Sequence, residues 1–218
     1  VIAGEEAFMQ PTMSEEFTIG YFMSQDIGTA HLDFGIRFDD ITRDGSVAEM
    51  HHEDEDHDED HEGEEEVEDY SFNYSTTNYS LQLTQSLTDK LSLVLSGTSA
   101  ERAPGAQELF MNGPHLATRR FEVGNVNLNP EKSNNLDMSL NYSDGGIFAK
   151  YTVYVNNVND FIYLLDESDE DHEEHEEEHG GLTLAEYLQN DAKFTGYEFE
   201  LGNSCLLYTS DAADEYDR

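Results

Sequence analysis

The stretch Leu136-Asp-Met-Ser-Leu-Asn-Tyr142, Ser143-Asp-Gly-Gly146, Ile147-Phe-Ala-Lys-Tyr-Thr-Val-Tyr-Val155 consists of two alternating runs joined by a short polar link. In extended chain, successive side chains point to opposite faces. Leu136, Met138, Leu140 and Tyr142 therefore share one face while Asp137, Ser139 and Asn141 share the other. Ile147, Ala149, Tyr151, Val153 and Val155 repeat the pattern after a link whose Asp-Gly-Gly favours a tight hairpin turn. The stretch predicts two antiparallel strands, each apolar on one face only.

The same period recurs in both directions along the chain. Phe17, Ile19, Tyr21 and Met23 alternate with polar or small residues, with Phe22 breaking the polar row. Leu32, Phe34, Ile36 and Phe38 follow, then Tyr79, Leu81 and Leu83, then Leu91, Leu93 and Leu95, and finally Tyr197, Phe199 and Leu201 within Ala192 to Leu201. This gives about seven strands. Their links alternate in length. Gln25–Gly28, Leu87–Lys90 and Ser143–Gly146 are tight, whereas Asp44–Asp69, Ser99–Lys132 and Asp166 to about Leu182 are long. Short and long links in strict alternation are the plan of an outer-membrane barrel, with short periplasmic turns and long extracellular loops. The expected fold is therefore all-β, an antiparallel transmembrane β-barrel fragment. A soluble β-sandwich would show the same alternation but has less reason to gather its long links at one end.

Charge separates the inserts from the strands. The 218 residues carry 49 Asp or Glu against 10 Lys or Arg, a net −39 that excludes a nucleic-acid binder, since phosphate affinity needs a basic face. Residues 49–69 hold 14 acids and four histidines, and Asp166 to His179 hold 10 acids and three histidines. Such blocks repel themselves and bury little apolar area, so they read as loops. No apolar run approaches the roughly 18 residues of a spanning helix. The run Cys205–Glu215 resembles a translated sequencing adapter, so native sequence is expected to end near Ser204, with residues 205–218 a non-native tail. Both ends are expected to be truncations.

The link at residues 99–132 carries a further signal. It contains Arg102-Ala-Pro104, Glu108-Leu-Phe110, Asn112-Gly-Pro-His-Leu-Ala-Thr118 and Gly124-Asn-Val-Asn-Leu-Asn-Pro-Glu131. These segments, with Val158–Ile162 and Gln189–Glu198, resemble the barrels of TonB-dependent receptors. The Asn-Gly-Pro-His-x-Ala-Thr form together with His-rich acidic inserts is most similar to the zinc-uptake branch. The resemblance implies a 22-stranded barrel around an N-terminal plug, energised through the TonB complex, in the Gram-negative outer membrane and in contact with its lipid. Residues 1–204 would be a partial barrel with inserts at 49–69 and 166–180 and a motif-bearing loop at 99–132.

Histidine is the residue type with chemistry to offer. His51, His52, His57 and His61 lie in the first insert and His172, His175 and His179 in the second. Imidazole and carboxylate together suit zinc without cysteine, and also suit copper and nickel, so ligand type leaves the metal open. Zinc as the transported ion follows from the resemblance. His115, in the motif-bearing loop, becomes a further candidate ligand on the same ground. His31 belongs to the polar face of a strand and would point into the lumen. Arg102, Glu108, Asn112 and Glu122 read as residues that order the loop, and Asp160, Asp191 and Glu198 as lumen-facing. No nucleophile elbow or Gly-rich phosphate loop appears, so no enzyme is expected. Rival readings are a receptor for haem or a metal chelate such as a siderophore, or a secreted acidic β-protein that sequesters metal.

Overall fold

A computed structural model describes residues 9–48, 67–167 and 181–203. The strands are β1 (Met13–Ile27), β2 (Ala30–Ala48), β3 (Val67–Thr88), β4 (Leu91–Arg102), β5 (Asn112–His115), β6 (Arg120–Val123), β7 (Glu131–Asp144), β8 (Ile147–Asp166) and β9 (Thr183–Asn203), with one short helix α1 (Ala106–Phe110) between β4 and β5. All nine strands form one sheet in the order β1-β2-β3-β4-β7-β8-β9-β6-β5. The seven long strands are the seven read from periodicity. Each is joined to its neighbour by the expected tight turn or long link, and each of their pairings is antiparallel.

Two features differ from the expectation. The 99–132 link contains α1, β5 and β6, and β6 pairs with β9 in parallel, Arg120 opposite Thr183 through Val123 opposite Glu186. Four alternating residues are too few to stand out in sequence, and the parallel sense arises because β6 reaches β9 as a loop folded back onto the sheet, not by a hairpin. The long strands also run well past their alternating cores. Ladder pairing continues where the outward face turns polar, as in Asp44 opposite Ser71 and Ser46 opposite Asp69, while the inward face takes up the aromatic residues Tyr70 and Phe72.

Register sorts the side chains into two faces. Ile19 faces Phe38, Ile36 faces Tyr79, Phe34 faces Leu81, Leu95 faces Met138, Leu140 faces Tyr151 and Tyr151 faces Phe199, so one face is apolar from β1 to β9. That face is bare: Leu136 is 64% exposed, and Phe199 and Leu201 are each 66% exposed. Polar residues of the other face are covered, including Asp39, Arg43, Thr76 and Ser139. A soluble sandwich would bury the first face and wet the second. The reverse arrangement suits a sheet with hydrocarbon outside and a polar lumen inside. Along β7 the apolar run Leu136 to Tyr142 spans about 20 Å at ~3.4 Å per residue, which a tilt of about 40° projects to about 15 Å of height, over half of an apolar band about 25 Å tall.

Polar contacts hold the lumen face in register. Asp39 Oδ1 accepts from Thr18 Oγ1 at 2.8 Å, and its Oδ2 accepts from Arg37 Nε at 3.0 Å and Asn78 Nδ2 at 2.8 Å, tying β1, β2 and β3 together. Arg43 pairs with Glu16 across the same strands. Phe22, which broke the polar row in sequence, lies opposite Gly35, where a Cβ would be tight only against Ser80 Oγ, at 3.0 Å.

The buried hydrophobic cluster lies between the sheet and the 99–132 link. Leu109, Phe110, Leu128 and Ile162 are buried together, with Val47, Tyr70, Phe72 and Tyr187 packed around them. This is the 99–132 link docked against the strands at the end that carries the long links. Full burial of Leu109 and Phe110 contributes about 1.5–3 kcal/mol each.

Candidate functional site

Docking of the link depends on close backbone approach. Gly45 of β2 receives the Phe110 ring, and a Cβ at that position would lie 2.5 Å from Phe110 Cδ2. Gly124 donates its N–H to Met111 O, and Asn125 donates to Glu108 O at 2.8 Å, so the segment after β6 closes onto α1. Arg102 forks to both Glu108 oxygens, at 3.1 and 2.8 Å, and reaches Glu131 at 3.3 Å. Glu108 also accepts the Gly105 N–H at 2.6 Å, capping the short helix. Arg102 and Glu108 thus order the loop, as read from sequence.

The β5–β6 hairpin presents His115. Its Nδ1 lies 2.8 Å from Oε1 of Glu122, a carboxylate only 5% exposed. An ionised Glu122 accepts in this contact, so Nδ1 is the nitrogen that donates. Thr118 Oγ1 donates to the same Glu122 oxygen at 3.2 Å. Glu122 therefore orients a histidine as well as ordering the loop. A carboxylate behind an imidazole is the support that metal-binding histidines ordinarily have.

The feet of both acidic inserts touch this hairpin. Asn112 Nδ2 donates to Ala48 O at 2.9 Å, where the first insert leaves β2. On the other side, Arg120 Nε and Nη2 reach Asp166 Oδ1 and Oδ2 at 2.6 and 2.7 Å, where the second insert leaves β8. The hydrogen bonds from Arg120 hold the Asp166 carboxyl below its usual range, and the same bonds raise the guanidinium. Thr183 N–H donates to Arg119 O at 3.2 Å at the return of that insert. These ties join residues far apart in sequence and gave no local signal. The bidentate geometry required an Arg and an Asp that only the fold brings together.

Other sequence candidates fall elsewhere. The seven histidines His51, His52, His57, His61, His172, His175 and His179 lie outside the described residues, as does the tail 205–218. His31 does face the lumen side, near the β1–β2 turn and far from His115. Its Nδ1 is 2.6 Å from Asp26 Oδ1 and its Nε2 is 2.9 Å from Ser24 Oγ and 3.2 Å from Asp33 Oδ1. Among the described residues no group of three His, Cys, Asp or Glu side chains is arranged to hold a metal ion. Glu198 pairs with Thr152 on the polar face. Asp160 and Asp191 instead mark an irregularity between Val158 and Phe161, where Asp160 takes φ 54° and its N–H donates to Asp191 Oδ1 at 3.3 Å.

Comparison with known families decides what this sheet is. Residues 15–217 match the TonB-dependent receptor-like β-barrel family. The chain belongs to that family. This TonB-dependent receptor segment is therefore a piece of outer-membrane β-barrel. Among solved structures it is similar to the Serratia marcescens hemophore receptor HasR, with a TM-score of 0.68 and 16% identity over 92% of this chain and 33% of that one. It is also similar to the copper transporter OprC, with a TM-score of 0.60 and 17% identity over 86% and 26%. A third is the ferric-catecholate import receptor Fiu of E. coli K12, with a TM-score of 0.56 and 16% identity over 88% and 26%. At these identities the likeness concerns fold. The segment spans a quarter to a third of those receptors. The tight turns of the segment are then periplasmic, and the docked link and the strand ends Ala48, Val67, Asp166 and Thr183 lie on the extracellular side.

Proposed function

We propose that the receptor takes up a divalent transition-metal ion, zinc first among them, through the TonB complex. The His/Asp/Glu inserts collect the ion outside and His115 receives it at the mouth. The observation that carries the reading is the hairpin itself. His115 is backed by a buried Glu122 and stands between the feet of the two inserts that contain the other seven histidines. Dense carboxylates raise the local cation concentration and speed encounter. Histidine nitrogen then favours borderline metals over calcium and magnesium, which prefer all-oxygen sites. Weak, exchanging ligation outside suits delivery, because tight capture on a loop would hold the ion back.

Haem and chelate cargoes remain the same-class alternative, since the relatives named above include a hemophore receptor, a copper transporter and a ferric-catecholate receptor. Aromatic walls for a planar ligand find less support. The row Tyr70, Phe72 and Tyr74 stacks at about 6 Å spacing, but Phe72 also stacks on Phe110 beneath the docked link and is taken up in packing.

The test is growth and zinc accumulation under zinc limitation by cells relying on the full-length receptor. Deleting both inserts should lower uptake at scarce zinc and be relieved by added zinc, and His115→Ala should lower uptake at all zinc levels. Unchanged zinc uptake in both variants, with haem or iron-chelate uptake impaired instead, would replace zinc as the cargo.

A further inference from the structure

The periplasmic end of the wall carries a second histidine backed by a carboxylate. In the β1–β2 ladder Asp26 stands opposite His31 and Ser24 opposite Asp33, and by parity with Asp39 and Arg43 all four face the lumen. His31 Nδ1 lies 2.6 Å from Asp26 Oδ1, and Nε2 lies 3.2 Å from Asp33 Oδ1 and 2.9 Å from Ser24 Oγ. Gln82 Nε2 of β3 reaches the other Asp33 oxygen at 3.5 Å, which leaves Oδ1 turned toward the ring.

The two carboxylate contacts of the ring differ in kind. Charge-assisted N–H···O bonds run about 2.7–2.9 Å. The Asp26 contact is that short, and the Asp33 contact is longer. Tetrahedral zinc with bonds of about 2.0–2.1 Å sets its donor atoms about 3.3 Å apart, close to the separation of Nε2 and Asp33 Oδ1. Asp26 then supplies what ligating imidazoles ordinarily have, a carboxylate on the opposite nitrogen that fixes the ring and its tautomer. Because Asp26 lies behind the ring, the protein offers two ligands and not three, and solvent fills the rest of the shell. His31 is 40% exposed and Asp33 23%, so water has access. The charge balance agrees. Among the described residues neither carboxylate pairs with Lys or Arg, so around a neutral imidazole two negative charges await one divalent cation. If the ring starts as imidazolium, Nε2 gives its proton to solvent and its lone pair to the metal, while the Nδ1 hydrogen stays directed at Asp26. A nitrogen ligand favours borderline ions over calcium and magnesium.

From His31 to Ala48, where Asn112 of the docked link attaches, β2 runs about 58 Å at ~3.4 Å per residue, or about 44 Å of height at a tilt of about 40°. His115 and His31 thus stand at opposite ends of one wall. We propose that His31 and Asp33 form a second binding site for a divalent transition-metal ion, at the periplasmic end of the lumen, with Asp26 positioning the ring. Its use as an exit station in transport rests on the function proposed above, whereas its capacity to bind metal does not.

The test is anomalous scattering at the zinc edge from crystals of the full-length receptor soaked in zinc at neutral pH, paired with a titration in which a chromophoric chelator counts zinc bound per receptor in solution. Wild type should show zinc bonded to His31 Nε2 and an Asp33 oxygen. His31→Gln and Asp33→Asn should each remove that peak and bind one zinc fewer in solution. Asp26→Asn leaves both ligands in place and should weaken that zinc about 10- to 100-fold. Asn141→Ala, on the lumen face of β7, should leave it unchanged. Folding of each variant is checked by heat-dependent gel migration, and should His31→Gln not fold, Asp33→Asn and Asp26→Asn still decide. No zinc at His31 in wild type, a peak that survives Asp33→Asn, full affinity in Asp26→Asn, or a crystal peak with no matching loss of stoichiometry in solution would each overturn the proposal. Zinc held at His31 by a receptor that does not import zinc would support the site and overturn the cargo instead.

Discussion

Replacing Gly124 by Ala should undock the extracellular link while leaving the barrel wall folded. A Cβ at Gly124 would stand 2.6 Å from Leu109 O, 2.7 Å from Leu109 C and 2.8 Å from Met111 N, where ordinary contact begins near 3.4 Å. All three obstacles are backbone, so no side chain can turn away. The two segments must separate by about 0.6 to 0.8 Å. That separation weakens the Gly124 N–H to Met111 O bond and the neighbouring Asn125 N–H to Glu108 O bond. Overpacking of this kind costs about 1–3 kcal/mol, and the two bonds, weakened and not lost, add about 0.5 kcal/mol each, for a local cost near 2–4 kcal/mol. In hydrogen exchange on the full-length receptor, the amides of Leu109, Met111, Gly124 and Asn125 should then lose about 30- to 1,000-fold of protection, since 1.36 kcal/mol is tenfold. The ladder amides of β7 and β8 should keep theirs. Gly105→Ala is the matched control in the same link, because its Cβ would meet nothing nearer than Glu108 Oε2 at 3.5 Å. Equal exchange in Gly124→Ala and Gly105→Ala would refute the packing argument.

Further outcomes follow from the same contacts. Gly202→Ala should cost less than Gly124→Ala, because the obstructing Phe148 ring is a 39% exposed side chain that can swing aside; comparing denaturation midpoints of the two variants measures this. Asp39→Asn should destabilise the β1–β3 wall by about 2–3 kcal/mol, because an amide cannot replace a buried carboxylate accepting from Thr18, Arg37 and Asn78; urea unfolding of the reconstituted receptor reads the loss. Arg120→Ala should raise exchange at the start of β9 more than at its periplasmic end, since the pair with Asp166 and the β6–β9 ladder act at the same place. A peptide of residues 49–69 should bind zinc more weakly at pH 5.5 than at pH 7.5, because protons compete for imidazole; equal affinity by calorimetry would remove the histidines from the reading.

The wall of this receptor was legible because its physics is local. A residue such as Leu140 declares its face through its neighbours two positions away, and a turn such as Asp144-Gly-Gly146 needs only its own backbone freedom, with Gly145 at φ 56° and Gly146 at φ 96°. Strand ends were not legible, since pairing above the membrane continues where the outward face is polar, as at Ser46 and Asp69, and apolar residues shift to the inward face, as at Tyr70 and Phe72. The site was legible in part. Glu122 and Arg102 could be assigned to ordering the loop from their motif. That Glu122 supports His115 depends on the β5–β6 pairing, and four alternating residues do not announce a strand. The Arg120–Asp166 pair spans 46 positions and has no local signature. His31 could be placed on the lumen face by parity, but its neighbours Asp26, Ser24 and Asp33 show how the structure uses both of its nitrogens.

The two charge systems at the mouth answer to different pH ranges, and this bears on how a metal would be released. Asp166 has its carboxyl pKa depressed by Arg120, so the stability it contributes is present above the ordinary carboxylate pKa of about 3.9 and is lost only as pH falls below that through the depressed folded value. On the proposed function, the histidines of the inserts would give up metal for protons as pH falls through the histidine range. Between these limits the Arg120–Asp166 pair that holds the hairpin stays formed while the proposed ligands would change state. Mild acidification should therefore remove metal without undocking the link. In an experiment at pH 5.5, lost zinc binding with unchanged exchange at Leu109 and Met111 is the expected pair of results. Simultaneous loss of both would mean that the metal itself holds the link in place, and the docking argument built on Gly45, Gly124 and Arg120 would then be insufficient.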